Sequence, residues 1–383
     1  MHRGRDFNGQ LIPSSTVGVK INEWYKYIRM FAVPDAEILK AEVEEEIKHM
    51  KEDQDLLLYY SLMCFRHQLM LDYLEPKSLN EARPKISDLL EKIESSQTKL
   101  KGVLEYYCNF FRGMYEFDKK DYINAIRSYK IAEKKLALVT DEIERAEFYF
   151  KMAEVYYHMK QTHVSMHYAE AALNIYKDQK TYTVRRIQCA FVVAGNFDDL
   201  ESHEKAVPHL QRALKDSKTI NKHKLIGASL YNLGNCYYKM KEYDKAAEYI
   251  EQAVSLYERD KSDLLPHTLF TLTQIHFKMK DIEKALVLYK KGIEKAKAIN
   301  DDVLIAEFNY LKALYIDSID KRTVFRTFSV LKDNVMYPDL EELALDTANY
   351  CKEIGQFENS TTFFDVMVDA RIQIQRGECL YEI

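Results

Sequence analysis

The sequence predicts an all-α protein in which a short helical bundle precedes a long array of paired helices. Glycine and proline are scarce, with 11 and 7 among 383 residues, whereas average usage is about 7% and 5%. Apolar residues recur at helical spacing, and one packing motif returns about every 40 residues. Aromatic residues make up 12% of the chain, so we expect a packed core and not a disordered chain.

The segment 1–76 predicts a three-helix bundle. Apolar residues from Val17 to Ile28 step at helical spacing and predict the first helix. Pro34 followed by Asp35 is typical of a helix start and predicts the second. An apolar stretch predicts the third helix from about Asp55 to Leu74. The apolar positions that we expect on one face of the second helix are Ile38, Leu39, Val43, Ile47 and Met50.

A polar stretch containing Pro76 and Pro84 follows the bundle and predicts a linker at 77–100. The segment 101–383 then carries the repeated motif, a small residue, a large residue four positions later and a small residue three positions after that. Small residues let two antiparallel helices approach closely, and the large residue fills the gap. Its seven copies, two of them looser, begin at Ala125, Ser165, Ala206, Ala246, Ala285, Val324 and Ser360.

The clearest copy is Ala246, Ile250 and Ala253, which Leu233 and Gly234 precede at the spacing of the tetratricopeptide pattern. Such repeats stack into a right-handed superhelix, so we predict about seven tetratricopeptide repeats with a concave inner surface. An extended peptide or a helix is the natural ligand of a groove of this kind.

Composition excludes several classes of function. The chain carries 55 basic and 60 acidic residues, a net charge of −5, which does not favour direct binding to nucleic acid. No apolar stretch is long enough to predict a membrane span. The six cysteines are scattered and form no C-x-x-C pair, which indicates reduced thiols and a cytoplasmic protein.

Motifs for catalysis are absent from the sequence: it contains no phosphate-binding loop, zinc-protease motif or nucleophile elbow. His163 and His167 could share one helix face, but no cysteine or carboxylate completes a metal-ligand set nearby, so we expect no metal site. The polar segment from Lys51 to Asp55, between the second and third predicted helices, is typical of a loop, and no sequence rule singles out its glutamine.

A resemblance adds to these inferences. The segments INEWYKYIRMFAVPDAEILKAEVEEEIKHMKEDQDLLLYYSLMCFRHQLMLDYLEP, LEYYCNFFRGMYEFDKKDY and IERAEFYFKMAEVYYHMKQTHVSMHYA, with the terminal GECLYEI, closely resemble the Rap family of Bacillus. The resemblance runs from Ile12 to the end of the chain and keeps the order bundle, linker, repeats. It implies a signalling protein that binds a response regulator and that a short secreted Phr peptide switches off.

The resemblance implies that Gln54 is the catalytic residue of an aspartyl-phosphate phosphatase. A carboxamide can accept a hydrogen bond from the attacking water and donate one to a phosphoryl oxygen. We expect no cofactor of the protein's own, because the partner's receiver domain supplies Mg²⁺. The expected docking contacts for the response regulator are Glu52, Asp53, Leu57 and Phe65.

For the peptide, the resemblance implies contacts from Asp199, Asn232 and Glu307. Asp199 would receive a cationic peptide side chain through a charge-assisted pair, and Asn232 would pair with the peptide backbone. Asn196 and Gln274 are further candidates on similar helix faces.

Three functions compete at this point. The first is a phosphatase acting on the phosphoaspartate of the sporulation phosphorelay intermediate. The second is a non-catalytic regulator that sequesters the competence response regulator from DNA, and one protein could do both. The third is a repeat adaptor with neither phosphatase activity nor a peptide switch.

Overall fold

The computed structural model describes residues 11–74, 101–316 and 319–376. Within these ranges it contains 17 α-helices, two short 3₁₀ turns and a single isolated β-bridge, so the all-α prediction is confirmed. The predicted linker at 77–100, together with Pro76, Pro84 and Cys379, lies outside the described residues.

The three N-terminal helices are present where the sequence predicts them, as α1 (Ser14–Met30), α2 (Val33–Lys48) and α3 (Gln54–Leu74). Pro34 occupies the first turn of α2, where its missing N–H costs no hydrogen bond. One expectation for α2 is wrong, because the side chain of Ile38 is 59% exposed and does not share the buried face of Val43. The face of α1 is as predicted, and its buried residues include Val17, Ile21, Trp24, Tyr25 and Ile28.

The repeat region forms the expected seven helix pairs. The pairs are α4 (Val103–Asp118) with α5 (Tyr122–Glu133), α6 (Glu142–His158) with α7 (Thr162–Tyr176), α8 (Thr183–Asp199) with α9 (His203–Thr219), α10 (His223–Lys239) with α11 (Tyr243–Arg259), α12 (Leu265–Lys278) with α13 (Ile282–Ala298), α14 (Asp302–Tyr315) with α15 (Lys321–Asp333), and α16 (Tyr337–Glu353) with α17 (Phe357–Arg376). The 3₁₀ turns Leu136–Leu138 and Lys180–Tyr182 follow α5 and α7.

The chain divides into two compact units, and the division falls within the repeat helices. The first unit contains the residues up to Val155 together with His167–Arg186, and the second contains Tyr156–Met166 together with the residues from Ile187 onward. In the first unit α1 packs on α2 and α3, α3 on α4, and α4 on α5. In the second unit each helix from α9 to α16 packs on the next one along the chain. The predicted boundaries 1–76 and 101–383 remain a prediction.

The repeated motif is the packing surface of each pair. Gly234 on α10 faces Ile250 on α11 so closely that a Cβ at position 234 would collide with the isoleucine side chain. This is the close approach for which the motif's small residues were predicted. The first residue of every copy is buried, at Ala125, Ser165, Ala206, Ala246, Ala285, Val324 and Ser360.

The turns inside the pairs also repeat. One residue in each of five turns adopts the left-handed conformation that commonly ends a helix. Their φ angles lie between 54° and 63°, at Lys120 (63°), Lys160 (54°), Glu201 (55°), Lys241 (61°) and Lys280 (61°). The backbone therefore repeats with the same period as the packing motif.

Candidate functional site

The loop before α3 is fixed at its start by the N-terminal segment. The amide of Ile12 donates to the carbonyl of His49 at 2.9 Å, and the amide of Lys51 donates to the carbonyl of Ile12 at 2.9 Å. This pair of hydrogen bonds forms the isolated bridge between Ile12 and Met50. The polar loop is thereby attached to α1 through the residues that precede this helix.

Asp53 fixes the other end of the loop by capping α3. Its Oδ1 accepts a hydrogen bond from the backbone N–H of Leu56 at 3.1 Å. A hydrogen bond from Ser14, followed by the one from Leu56, lowers the pKa of Asp53, because both stabilise the charged carboxylate. Asp53, which we predicted as a docking residue, is half-buried. Its carboxylate already caps α3.

Gln54 is the first residue of α3, and its side chain is exposed. Its Nε2 donates a hydrogen bond to Oε1 of Glu52, which is also exposed, at 2.7 Å. The loop therefore presents a carboxamide to solvent at a fixed point of the backbone. An amide in this position can donate and accept at the same time, which is the property that orienting a water molecule requires.

The other two predicted docking residues differ. Leu57 is half-buried, one turn beyond Gln54. Phe65 is fully buried, with its ring centroid 6.2 Å from that of Tyr115 on α4, and its role as a docking contact stays a prediction. Over residues 62–70 nearly every residue of α3 is buried, on all sides of the helix. The spacing of residues along this part of α3 therefore does not show which of them are exposed.

The first unit also contains a buried charge network that the sequence analysis missed. Glu144 on α6 is fully buried and accepts hydrogen bonds from the hydroxyls of Tyr25 at 2.6 Å and Tyr106 at 3.0 Å. The guanidinium of Arg29 on α1 lies 3.4 Å from Glu144 and 2.7 Å from Asp141. Burial raises the pKa of Glu144, and Arg29 opposes that rise.

Glu147, one turn further along α6, is fully buried and pairs with two arginines. Nη2 of Arg66 on α3 lies 2.9 Å from its Oε1, and Nε of Arg185 donates to its Oε2 at 2.6 Å. The Tyr176 hydroxyl adds a hydrogen bond at 3.1 Å. Burial alone would raise the pKa of Glu147, but Arg185 and Arg66 lower it to about 2. Glu144 and Glu147 both lie on the buried face of α6, where a helix usually carries apolar residues. Their position on that face is the feature of the sequence that could have indicated a buried charge network.

In the second unit, Asp199 is the last residue of α8. Its Oδ1 lies 2.8 Å from Nζ of Lys160, in the turn between α6 and α7. The preceding residue, Asp198, pairs with Lys239 at 2.7 Å and with His203 at 2.8 Å. The carboxylate that we predicted to receive a peptide cation thus already has a cation beside it.

Asn232, Gln274 and Glu307 lie on the first helices of three successive pairs, α10, α12 and α14. Direct contacts join these helices: the Tyr231 hydroxyl lies 3.2 Å from Oγ1 of Thr271, and the rings of Phe270 and Phe308 lie 5.5 Å apart. Gln274 and Glu307 are 4% and 9% exposed. None of the three side chains makes a hydrogen bond or ion pair with the described part of the protein.

Burial raises the pKa of Glu307 to about 8, and repulsion from Asp339, Asp301 and Glu342 adds to the rise. Glu307 is therefore largely protonated at neutral pH, and its acid group can donate as well as accept a hydrogen bond. Asn232, Gln274 and Glu307 therefore present polar groups that have no partner in the described part of the protein and are available to a polar ligand.

Asn196 does not belong to this row. It is fully buried, and its Nδ2 donates to Oγ of Ser165 at 2.8 Å inside the second unit. Its Oδ1 has no hydrogen-bond partner within the described residues, and its role as a peptide contact stays a prediction.

The described residues contain neither a metal-ligand cluster nor a membrane-spanning helix. No group of three His, Cys, Asp or Glu side chains among them is arranged to hold a metal ion. None of the helices in the described ranges has the length and apolar character needed to cross a bilayer. The five cysteines in those ranges are free thiols.

Comparisons with known proteins agree with this architecture. The family model described as response regulator aspartate phosphatase H, N terminal, matches residues 11–72. The tetratricopeptide repeat model matches residues 193–259 and 225–298. The two models therefore cover the three N-terminal helices and the middle repeats.

Two relatives from Bacillus subtilis (strain 168) align over almost the whole chain. Response regulator aspartate phosphatase A is 54% identical over 98% of this chain and 99% of its own. Regulatory protein RapC is 52% identical over 97% of this chain and 98% of its own.

Among solved structures, a Rap protein complexed with competence and sporulation factor has a TM-score of 0.80 and 42% identity, covering 95% of this chain and 99% of that one. The apo form of RapI has a TM-score of 0.76 and 40% identity, covering 95% of this chain and 99% of that one. Together with the matches to the two family models, these similarities establish that the chain belongs to the Rap family of response regulator aspartate phosphatases and regulators.

Proposed function

We propose that this protein hydrolyses the phosphoaspartate of a response regulator, the intermediate of the sporulation phosphorelay, and that a Phr peptide inhibits it. The observation that carries the proposal is the 54% identity with response regulator aspartate phosphatase A over 98% of the chain. The exposed Gln54 at the start of α3 supports it, since the loop that holds this residue is fixed at both ends.

In this mechanism Gln54 exchanges its hydrogen bond to Glu52 for one to a water molecule. The oriented water attacks phosphorus, the bond between phosphorus and the aspartyl oxygen breaks, and the products are inorganic phosphate and a free aspartate. The receiver supplies the Mg²⁺ that neutralises the phosphoryl oxygens, and this protein contributes no cofactor. A neutral amide suits the position, because a carboxylate would repel those oxygens.

The peptide binds the second unit in our proposal. Asp199 receives a cationic side chain, whereas Asn232, Gln274 and Glu307 pair with the peptide's polar groups. The absence of protein partners on these last three supports the assignment. Binding favours the arrangement in which the N-terminal helices pack against the first repeats, and the contact between Arg66 and Glu147 is an example of such packing.

The experiment is a dephosphorylation assay with a labelled receiver, Mg²⁺ and purified protein. We expect Gln54→Ala to slow loss of the label by about 10²-fold while receiver binding is retained, because only the positioning of water is removed. The neighbouring exposed residue provides the control, Asp55→Asn, which should remain active. A Gln54→Ala variant as fast as the wild type would overturn the assignment of this residue.

A second candidate function is sequestration of the competence response regulator from DNA. The 52% identity with regulatory protein RapC favours it, since that relative is described as a regulator. A DNA-binding assay with the competence regulator, run beside the phosphatase assay, separates the two activities. Sequestration removes the competence regulator from DNA, whereas phosphatase activity removes the phosphoryl label from the receiver. Either activity places the protein in the cytoplasm, where response regulators act.

A further inference from the structure

The cation at Asp199 is held in place by more than one contact. Lys160 has a φ of 54°, so its backbone sits in the repeated left-handed turn. Its Nζ lies 2.8 Å from Oδ1 of Asp199 and 5.4 Å from the centroid of the Tyr157 ring. Burial would lower the pKa of Lys160, but Asp199 outweighs this effect and raises it. The lysine is charged and directed at the carboxylate that the peptide is proposed to use.

Three lysines of this region each pair with an aspartate, whereas three nearby acidic side chains form no ion pair with the described residues. Lys160, Lys239 and Lys278 each pair with an aspartate, at Asp199, Asp198 and Asp346 respectively. Three further carboxylates form no ion pair within the described part of the second unit, and they are Glu307, Asp339 and Glu342.

Asp339, one of these three carboxylates, lies on α16. Burial raises the pKa of Asp339, and the Lys160 ammonium opposes that rise, so the two groups feel each other's charge.

We propose that Lys160 is an internal competitor for the cationic side chain of the peptide, which must displace it from Asp199 in order to bind. This inference rests on the proposed peptide site and identifies a residue that sets its affinity. An arginine can win the exchange because its planar guanidinium binds a carboxylate through two parallel hydrogen bonds, whereas an ammonium acts as a point charge.

The consequence is that removing Lys160 should strengthen binding of cationic peptides. The side chains of Lys160 and Asp199 are 34% and 18% exposed, so the pair is partly solvated and its contribution is moderate. We expect about twofold to fivefold tighter binding, the range that corresponds to a partly exposed ion pair.

The test uses a synthetic library of pentapeptides with arginine fixed at one position. The best binder to the wild-type protein is made again with citrulline, which keeps the shape and loses the charge. Both peptides are titrated calorimetrically into the full-length wild type, Lys160→Met and Lys160→Gln. The control is Lys295→Met, which removes the same charge from an exposed position on α13.

We expect both Lys160 variants to bind the arginine peptide more tightly than the wild type and the control, with no gain for the citrulline peptide. Equal or weaker binding of the arginine peptide by both variants would overturn the competitor role while leaving the peptide site intact. If no peptide of the library binds the wild type, the proposed peptide site fails, and the inference fails with it. A gain shared by Lys295→Met would assign the effect to net charge and not to Lys160.

Discussion

The two units hold buried glutamates in different surroundings. In the first unit, Glu144 and Glu147 are fully buried and each is surrounded by arginine and tyrosine donors. In the second unit, Glu307 is 9% exposed and has no donor at all within the described residues. Matched charge stabilises a particular packing of helices, whereas unmatched polar groups are retained where a ligand supplies the partners.

The pKa values of the two buried glutamates shift in opposite directions, for different reasons. Burial acts on both glutamates, but the arginines lower the pKa of Glu147 to about 2. Burial and neighbouring carboxylates raise that of Glu307 to about 8. The first carboxyl stays ionised and the second is mostly protonated at neutral pH. Perturbed groups without a structural partner are the better candidates for a binding site.

Breaking the charge network around Glu147 should destabilise the protein strongly. Glu147→Ala leaves Arg66 and Arg185 buried without their shared anion, so we expect a loss of about 3–5 kcal/mol in the free energy of unfolding. Urea denaturation followed by circular dichroism measures it. The control is Glu142→Ala, an exposed glutamate of the same helix, which should cost little. Equal losses in the two variants would show that the network contributes nothing particular to stability.

Glu307, which has no partner among the described residues, should make the stability of the protein depend on pH. Since the folded state raises the pKa of Glu307 from 4.5 to about 8, the folded protein binds the proton more tightly than the unfolded chain. Its contribution to stability is therefore fully present below about pH 4.5 and is lost as the pH rises toward 8.

Glu307→Gln should remove this loss because the amide does not titrate. We expect the wild type to lose up to about 3 kcal/mol more than the variant between pH 5 and pH 8.5. Thermal unfolding of the two proteins across this range measures the difference. Parallel pH profiles would mean that the Glu307 carboxyl is hydrated or paired in solution, which would weaken the contrast between the units.

The sequence predicted the fold well because the fold repeats. A packing motif that recurs seven times predicts helix pairs even where single copies depart from it. Its small residues, such as Ala246 and Gly234, lie at the contact between paired helices, as the motif predicts. Ile38 shows the limit of periodicity: helical phase assigns it to a face but does not tell whether another helix covers that face.

The sites were predicted less completely. Gln54 came only from family resemblance, because an exposed glutamine in a polar loop has no signature of its own. The burial of Phe65 and Asn196 was not predicted, because burial depends on which helices pack against a face, and a single sequence does not state this. The ion pair of Lys160 with Asp199 joins residues 39 positions apart in the chain, so only the structure brings them together.

Asn232, in the second unit, should contribute little to stability and more to peptide binding. Asn232 is half-buried on α10 and makes no hydrogen bond within the described part of the protein. Asn232→Ala should change the free energy of unfolding by less than about 0.5 kcal/mol, because no interaction is lost. The same substitution should weaken peptide binding by about tenfold, since hydrogen bonds to the peptide backbone would be lost. Denaturation and calorimetric titration on one preparation measure both quantities. A large loss of stability with unchanged peptide affinity would place Asn232 among the structural residues, as in the first unit, and would remove it from the binding surface.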